Sequence, residues 1–469
     1  MDRAIWWIRR DLRLADNQAL IKAISQAREV VPLFILDPKL INSRNQSEKR
    51  IAFLYLGLKK LDADLRKLGS RLVIRRGDAL ETLSKMINDF QISGIFAEAD
   101  FSPYARTRDA RVAAVLPMTL VGSTGLRHPT TVVKDDGSAY TVYTPYLRAW
   151  KKQGSPSRWE LLPRPERIVS LKDIESEPFP ESKYAGDEMH FQPGEEDANL
   201  RLDRFIEIKR GRILNYGDLR NRMDIDGTSG LSPYLRFGMV SARQVIVAAN
   251  EAIQLASAPE EESSAATWLN ELVWREFYIS ILFHFPEVAK QSFRPELRGI
   301  QWTDDPEGFD AWKRGATGYP AVDAGMRQLR ATGWMHNRAR MITASFLVKD
   351  LLIDWRLGEA YFMQQLIDGD PAENNGGWQW TAGTGTDAAP YFRIFNPTLQ
   401  GKKFDPQGAY IRRWVPELDS VPGEYIYQPW LMTPGLQTKT GCIIGKTYPD
   451  PIVDHNQQRQ LALAMYGRR

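Results

Sequence analysis

Residues 4–36 decide the fold of this chain, and they read AIWWIRRDLRLADNQALIKAISQAREVVPLFIL. Two apolar runs, Ala4–Ile8 and Val30–Leu36, have the length of buried strands. Between them, Asn17–Arg28 carries apolar residues at helical spacing. A strand, a helix and a second strand in this order predict two parallel strands joined by a right-handed crossover.

The same alternation continues to residue 130. Further strands are predicted at Arg71–Ile74, Gly94–Ala97 and Met118–Val121, and further helices at Ser47–Leu68, Ala79–Phe90 and Pro103–Val115. We therefore predict that residues 1–130 form an α/β domain with a doubly wound parallel sheet. The turn after the first strand contains no G-x-G-x-x-G sequence, so an ordinary dinucleotide fingerprint is absent.

The pattern changes twice after residue 130. Residues 131–200 are interrupted by Pro156, Pro163, Pro165, Pro178, Pro180 and Pro193, and we interpret them as an interdomain linker that runs over the surface. Helical spacing dominates residues 201–469, which we predict to be an all-α domain large enough to bury a cofactor. Its predicted helices are Asp203–Arg210, Ser241–Leu255, Ala265–Phe283, Gly308–Arg314, Tyr319–Thr332, Asn337–Leu352 and Glu359–Ile367.

Composition excludes several classes of protein. One cysteine, Cys442, permits no disulfide framework within the chain, and five scattered histidines with no ligand spacing predict no metal site. No apolar run has the length of a membrane span, and the first residues do not have the layout of a signal peptide, so we expect a cytoplasmic protein. Ten of the fourteen tryptophans follow residue 260, which favours ring stacking or electron transfer over core filling alone.

Two segments of the helical region carry unusual polar chemistry. Asp368–Trp380 reads DGDPAENNGGWQW, and we interpret it as a loop in which acids and amides meet a polar ligand while the glycine pair permits a close approach. A capped loop with two core tryptophans is the alternative. In Asn337–Met341, the amide of Asn337 lies one helical turn from Met341, and Arg338 is suited to holding a phosphate.

Two further motifs predict a binding cavity. Gly227–Pro233 combines hydroxyls, backbone N–H groups and glycines, which suits a phosphate, although a simple helix cap is the alternative. Trp268, Glu271, Trp274, Arg275 and Tyr278 lie three or four residues apart and share one side of a predicted helix. That side is too polar for an ordinary core and too aromatic for a solvated surface, although core tryptophans with a Glu–Arg pair on the surface are the alternative.

The motifs Trp334–Met341, Asn374–Trp380 and Gly383–Arg393 resemble signatures of the photolyase/cryptochrome family. The resemblance covers essentially the whole chain and is to the class I cyclobutane pyrimidine dimer photolyases. It implies FAD in the helical domain. The implied cofactor-binding residues are Tyr216, Thr228, Ser229, Gly230, Leu231, Ser232, Trp268, Arg275, Asn337, Arg340, Asp368, Gly369, Asp370 and Asn374.

The resemblance also implies roles for individual residues. Arg340 would balance Asp368, and Asn374 would face the reactive edge of the flavin, where a neutral amide suits a reduced, anionic ring. Trp302, Trp355 and Trp378 would relay electrons to oxidised flavin, and Glu271 would hydrogen-bond or protonate the substrate. The implied DNA-binding residues are Arg220, Glu271, Trp274, Asn337, Arg338, Met341 and Trp380.

The implied reaction is light-driven DNA repair, in which an electron from reduced FAD splits a pyrimidine dimer that has been flipped out of the duplex. A cryptochrome-like blue-light photoreceptor and a (6-4) photolyase are the alternatives. Asn374 and the absence of a long tail after Arg469 favour repair over signalling. The loop Asp100–Arg106 favours a deazaflavin or a second flavin over folate as antenna, and a chain without an antenna also remains open. We expect a monomer whose partner is DNA containing pyrimidine dimers.

Overall fold

The computed structural model describes residues 1–171, 173–182, 184, 189–207, 211–390 and 392–467. Residues 208–210 of one predicted helix, and Tyr391 within one signature motif, lie outside them. The chain divides into two compact units. Unit 1 consists of Met1–Gly217, Ser229–Pro286 and Ile367–Ala372, and unit 2 of Asp218–Thr228, Glu287–Leu366 and Glu373–Arg469. The domain boundaries expected at residues 130 and 200 stay a prediction.

Unit 1 contains the predicted parallel sheet. Its strands are β1 (Arg3–Ile8), β2 (Glu29–Leu36), β3 (Val73–Arg76), β4 (Gly94–Ala99) and β5 (Met118–Ser123). They lie in the order β3-β2-β1-β4-β5, and every pairing is parallel. The chain therefore winds outward from β1 in one direction and then in the other, as predicted. All five strands were found by their apolar runs, with bounds shifted by at most two residues.

Helices connect these strands at the four predicted places, and the short helix α2 was not predicted. They are α1 (Gln18–Gln26), α2 (Pro38–Ile41), α3 (Glu48–Lys67), α4 (Ala79–Phe90) and α5 (Pro103–Ala113). Side-chain caps fix their starts: Asn17 accepts from the N–H of Leu20, and Ser47 from that of Arg50. A buried cluster that includes Ile5, Val31, Leu83 and Ile95 joins the sheet to its helices.

The segment 131–200 contains a helix that was not predicted, although it lies before the first of the prolines on which the linker interpretation rests. This helix, α6 (Tyr143–Lys152), buries Tyr143, Tyr146 and Trp150, which recur at helical spacing along one side. Pro145 lies in its first turn, where a missing N–H costs no helical hydrogen bond. The Trp150 indole donates to Glu276 Oε2 at 2.7 Å, so this part of the segment is packed and is not merely draped over the surface.

From Glu195 onward the described chain is mostly helical, as predicted for residues 201–469. The helices are α7 (Glu195–Ile206), α8 (Tyr216–Leu219), α9 (Ser232–Phe237), α10 (Ala242–Leu255), α11 (Pro259–His284), α12 (Pro306–Arg314), α13 (Pro320–Thr332), α14 (Asn337–Ser345), α15 (Trp355–Gln365), α16 (Pro371–Ala382), α17 (Pro397–Phe404), α18 (Ala409–Trp414), α19 (Pro434–Thr440) and α20 (His455–Gly467). Among the described residues, none of these helices has the length and apolar character needed to cross a bilayer.

Two predicted features of unit 2 differ from the structure. The helix expected over Asn337–Leu352 ends at Ser345, continues as a π-helical turn over Phe346–Asp350, and stops at Leu352, whose φ is +56°. The loop expected over Asp368–Trp380 is mostly the helix α16, which begins at Pro371. Proline is well suited to the first turn of a helix, and this start was not recognised in the sequence.

Candidate functional site

Asp370 is a buried carboxylate surrounded by arginines of unit 1. Arg10, in the turn after β1, places Nη2 at 2.5 Å from Asp370 Oδ2, and Arg236 on α9 places Nε at 3.9 Å from the same oxygen. Burial raises the pKa of Asp370, but the charges of Arg10, Arg236 and Arg275 outweigh it and hold this pKa well below its usual range. Asp370 is therefore a fixed negative charge at neutral pH.

Asp368 lies just before α16 and accepts a hydrogen bond from the Ser232 hydroxyl at 2.6 Å. Gly369, between the two acids, accepts from Arg236 Nε at 2.8 Å. The predicted cofactor residues Ser232, Asp368, Gly369 and Asp370 are thus brought together by one helix start and the preceding turn. Arg10 and Arg236 were missed in the sequence, although the turn after β1 was conspicuously rich in arginine.

The side chain of Arg201 lies close to the backbone of the turn before α9, where the phosphate contact expected from the sequence stays a prediction. Gly230 has a φ of +60°, and a Cβ there would overlap the guanidinium of Arg201. Arg201 Nε also donates to the carbonyl of Ser229 at 2.8 Å. Leu231 is buried, whereas Ser232, the first residue of α9, is exposed. Thr228 belongs to unit 2, so its predicted share in the same site stays a prediction.

An aromatic group in unit 1 connects two further predicted residues. Phe205 packs against Trp268 with ring centroids 4.8 Å apart and against Tyr216 at 5.9 Å. Trp268 and Tyr216 are both buried. Arg275, about two turns further along α11 than Trp268, donates from Nη1 to the carbonyl of Thr124 at 2.9 Å.

Glu271 and Trp274 lie on the same helix as Trp268 and are half-buried. Trp274 stacks on Tyr143 and contacts Phe277 and Tyr278. These residues therefore share one side of α11, as their spacing predicted. Trp268 is buried on that side, whereas Glu271 and Trp274 are partly exposed.

In unit 2, the buried side of α16 is lined by polar side chains. Asn374, Asn375, Trp378 and Gln379 are buried, while Gly377 is exposed and a Cβ there would meet no atom. Among the described residues, no contact requires glycine at Gly377, and the close approach to a ligand that we expected of the glycine pair stays a prediction. Trp378 has a buried indole N–H with no hydrogen-bond acceptor in the described part of the chain.

The amides of Asn375 and Gln379 serve the protein itself. Both donate to the carbonyl of Val288 at 3.0 Å, and Gln379 Oε1 accepts from the N–H of Phe293 at 2.8 Å. They therefore fix the segment 288–293 against α16, and the sequence interpretation that all these amides meet a ligand was too broad.

Asn374 and Glu359 form the adjacent polar contact. Asn374 Nδ2 donates to the backbone carbonyl of Glu359 at 3.0 Å, which uses one of the two N–H bonds of the amide. The Glu359 carboxylate accepts from Asn375 Nδ2 at 3.1 Å. Burial raises the pKa of Glu359 to about 7, although the Asn375 hydrogen bond opposes the rise.

The three tryptophans of the predicted relay share one hydrophobic core. Trp355 and Trp378 are buried members of this core, and Trp302 packs against it half-buried. Trp378 contacts Phe362 with ring centroids 4.9 Å apart and Trp312 at 6.1 Å. Trp312 is fully buried, contacts Trp378 directly and was not singled out in the sequence.

Unit 2 also carries a group of arginines that we call the basic cluster: Arg220, Arg338 and Arg393. Burial, together with the charges of Arg220 and Arg393, lowers the pKa of Arg338 to about 10. Asn221 Oδ1 accepts from Arg338 Nη2 at 2.6 Å, and the guanidinium lies 4.2 Å from the ring centroid of Phe404. Arg338 thus remains charged at neutral pH and has a fixed orientation.

The other predicted residues of unit 2 lie near this cluster in sequence or in space. Trp380 is half-buried, with Arg393 at 5.9 Å from its ring centroid. Asn337 is exposed at the start of α14, and its Nδ2 lies 4.0 Å from Met341 Sδ, as the helical spacing predicted. Arg340 donates from Nε to the carbonyl of Met335 at 2.9 Å, and its expected balance with Asp368 stays a prediction.

The donor set fits a flavin nucleotide better than a metal ion. Within the described residues, no group of His, Cys, Asp or Glu is arranged to hold a metal. In unit 1, the hydroxyl and backbone groups at 229–232 and the buried carboxylate of Asp368 offer polar contacts of the kind that an FAD molecule requires. In unit 2, the buried amide of Asn374 and the indole N–H of Trp378, which has no acceptor among the described residues, offer contacts of the same kind.

Comparisons with known proteins agree with this chemistry. Residues 4–166 match the family model for DNA photolyase, and residues 268–468 match the model for the FAD binding domain of DNA photolyase. The chain is 39% identical to the deoxyribodipyrimidine photo-lyase of Synechococcus sp., over 99% of this chain and 96% of that protein. The chain belongs to the DNA photolyase family.

Two solved photolyase structures share its fold. The bacterial class III photolyase from Agrobacterium tumefaciens is 38% identical with a TM-score of 0.92, covering 100% of this chain and 97% of that one. The archaeal photolyase from Sulfolobus tokodaii, solved with two FAD molecules, is 31% identical with a TM-score of 0.83, covering 100% of both chains. The parallel sheet and the FAD-binding helical region are therefore photolyase features.

Proposed function

We propose that this chain is a light-dependent DNA repair enzyme, a deoxyribodipyrimidine photo-lyase that returns cyclobutane pyrimidine dimers to monomeric pyrimidines. The observation that carries the proposal is the 39% identity with a photo-lyase over nearly the full length of both proteins. Reduced FAD, when bound and excited by light, supplies an electron for splitting the cyclobutane ring. The side chains of the protein would bind FAD, hold the damaged DNA and carry electrons to oxidised FAD.

The residues of unit 1 would hold FAD by complementary polar contacts. The hydroxyl and backbone groups at 229–232 suit the pyrophosphate, and Asp368 and Asp370 suit hydroxyl groups of the ribose and the polar edge of the flavin. Tyr216, Trp268 and Arg275 would line the cavity. Thr228, Asn337, Arg340 and Asn374 complete the proposed set from unit 2. Asn374 retains a second N–H with which to hydrogen-bond the flavin.

DNA would be held by charge and by ring stacking. Arg220 and Arg338 of the basic cluster are suited to phosphates, since Arg338 is charged and oriented by Asn221. Trp274 and Trp380 would stack on the flipped dimer, with Asn337 and Met341 contacting its bases. Glu271 would hydrogen-bond or protonate the dimer.

Electrons for reducing oxidised FAD would travel through Trp302, Trp355 and Trp378. Their burial in or against one core supports the proposal, because buried indoles are shielded from competing reactions with water. Residues 1–130, 131–200 and 201–469 are proposed as antenna domain, linker and catalytic domain. A second flavin or a deazaflavin is the proposed antenna, in keeping with the two FAD molecules of the Sulfolobus tokodaii structure, and a chain without an antenna is the alternative. A monomeric, cytoplasmic protein completes the proposal.

The test uses the purified full chain. Its absorption spectrum should contain a flavin, and blue light on the reduced protein should remove dimers from an oligonucleotide that holds a single thymine dimer, whereas a dark sample should not. Bound flavin with intact dimers after illumination would refute repair and favour a cryptochrome-like photoreceptor. Repair of a (6-4) photoproduct alone would assign the other lesion.

A further inference from the structure

Tyr143 and Trp274 form the closest parallel ring pair in the described structure. Their ring centroids are 3.6 Å apart, and the ring planes differ by 6°. Tyr143 is the first residue of α6, inside the segment that we had interpreted as a linker, and Trp274 lies on α11. Both residues belong to unit 1. A stack of this kind fixes the plane of both rings, because any tilt of one ring brings it into overlap with the other.

Additional contacts fix Tyr143 itself. Its hydroxyl donates to the backbone carbonyl of Asn270 at 2.7 Å, one helical turn before Trp274. Phe277 packs edge-on against both members of the pair, at 5.8 Å from Tyr143 and 5.5 Å from Trp274. Tyr143 is buried, whereas Trp274 is only half-buried. The buried ring is thus anchored to the same helix that carries the partly exposed one.

This arrangement restricts a side chain that would otherwise move. A half-buried tryptophan on a helix has more than one accessible rotamer, and ordering it on binding has an entropic cost. The Tyr143 stack removes that cost in advance, because the indole already lies in a single plane before a ligand arrives. A flat ligand that stacks on Trp274 therefore meets a preorganised surface.

We propose that Tyr143 is a positioning residue that holds Trp274 in the orientation required for stacking on a pyrimidine dimer. The proposal rests on the proposed function, since it assigns to Trp274 a contact with the flipped lesion. Tyr143 acts through Trp274 and touches neither DNA nor FAD. The segment 131–200 thereby contributes to lesion discrimination, a role that its proline-rich sequence did not indicate.

The test compares Tyr143→Leu, which removes the stack, with Tyr143→Phe, which keeps the ring and loses only the hydrogen bond to Asn270. Dissociation constants are measured for an oligonucleotide with one thymine dimer and for its undamaged counterpart. We expect Tyr143→Leu to weaken dimer binding roughly two- to tenfold, the range expected for one aromatic pair, with little change for undamaged DNA. Tyr143→Phe should retain most of the discrimination.

Tyr146→Leu provides a matched control. Tyr146 lies on the same helix, is equally buried, and packs on Phe277 at 5.3 Å. A general disturbance of α6 would weaken discrimination in this variant as well, and that result would overturn the proposal. Flavin absorbance and the thermal midpoint of each variant verify that the protein is folded.

A double-mutant cycle gives a readout that a purely structural role would not change. In a Trp274→Ala background, Tyr143→Leu should cause no further loss of dimer binding, because the ring it orients is absent. An equal loss in both backgrounds contradicts the proposal. If Tyr143→Leu does not fold, the same cycle with Tyr143→Met, which also removes the ring, decides: a loss that disappears with Trp274→Ala supports positioning, and no loss or an undiminished loss overturns it.

The proposed function and this inference fail in different ways. Wild-type protein that binds damaged and undamaged DNA equally refutes the proposed function. Wild-type protein that discriminates, together with a Tyr143→Leu variant that discriminates to the same degree, refutes only the role of Tyr143.

Discussion

Arg10 and Asp370 are separated by 360 residues in sequence, and their charged atoms lie 2.5 Å apart. Both side chains are largely buried, so water screens the attraction weakly. Arg10 also lies 3.5 Å from Asp100, at the end of β4. Arg10, at the carboxyl end of the sheet, therefore fixes Asp370, the residue immediately before α16.

Replacement of Arg10 by methionine should destabilise the protein by about 3 kcal/mol, because it leaves a buried carboxylate without its main partner. Arg28→Met is the matched control: Arg28 pairs with Asp2 at 3.7 Å on the exposed surface, and its loss should change stability by less than about 1 kcal/mol. Thermal unfolding of both variants checks this. Equal losses would show that the Arg10 contact contributes no more than a surface pair.

The same pair predicts an acid effect. Since the folded pKa of Asp370 lies below the ordinary value of 3.8, its charge stabilises the protein above that pH, and this contribution is lost as the pH falls below it. Arg10→Met should therefore lose less stability than wild type on acidification below pH 3.8. A parallel loss in the two proteins would contradict the assignment.

Glu359 predicts the opposite dependence on pH. Its pKa is about 7 in the folded protein against 4.5 for an ordinary glutamate, so the folded state favours the protonated form. Stability from this group is complete below pH 4.5 and falls as the pH rises to about 7. Glu359→Gln keeps an acceptor for Asn375 and should gain about 3 kcal/mol relative to wild type between pH 4.5 and 7.5.

The measurement is the difference in unfolding free energy between variant and wild type at several pH values. Taking this difference removes the contributions of the other titrating groups, which both proteins share. Glu424→Gln, at an exposed glutamate of unit 2, should leave that difference flat. A flat difference for Glu359→Gln as well would mean that Glu359 is ionised at no cost in the folded protein.

The position of the Trp378 indole leaves no room for a side chain at Gly358. A Cβ at Gly358 would overlap the six-membered ring of Trp378, whereas a Cβ at Gly377 would meet no atom. Gly358→Ala should therefore displace the indole, slow photoreduction of oxidised flavin and destabilise the protein by about 1–3 kcal/mol. Gly377→Ala should be neutral or slightly stabilising, because alanine favours the helix by up to about 1 kcal/mol. Similar effects of the two changes on photoreduction would show that the Gly358 contact is unimportant.

Trp378→Phe separates electron relay from repair. We expect it to impair photoreduction of oxidised flavin strongly, because phenylalanine is much harder to oxidise, and to leave repair by protein that has been chemically reduced in advance nearly intact. Absorbance under illumination and dimer repair by the pre-reduced protein are the two measurements. Comparable losses in both would indicate that Trp378 supports the core against Phe362 and Trp312 and carries no electron.

Arg338→Ala should weaken DNA binding in a salt-dependent manner. Loss of one phosphate contact reduces the slope of log affinity against log salt by about 0.9 and affects damaged and undamaged DNA alike. Asn221→Ala, which removes the hydrogen bond at 2.6 Å, should give a smaller change in the same direction. Lys446→Ala, at an exposed lysine of unit 2, is the control. An unchanged salt slope in Arg338→Ala would exclude the proposed phosphate contact.

Local periodicity was sufficient for the main architecture. The five apolar runs from Ala4–Ile8 to Met118–Val121 became the strands of a parallel sheet, because a strand buried on both faces needs uninterrupted apolar residues. Local periodicity did not predict α16, whose buried side carries Asn374, Asn375 and Gln379. These amides are buried because the carbonyls of 288–293 and the backbone of Glu359 satisfy them, and no apolar stripe marks such a helix in sequence.

The sequence by itself determined the parallel sheet, most of the helices and the segments that carry the tryptophans, amides and arginines of a photolyase, since these depend on residue type and on spacing over a few turns. Only the tertiary structure decided that Arg10 meets Asp370, that Asn221 orients Arg338 and that Tyr143 stacks on Trp274. The physical reason is range: periodicity tells which side of a helix or strand is buried, whereas the partner of a buried charge or ring is chosen by packing between residues that are far apart in the chain.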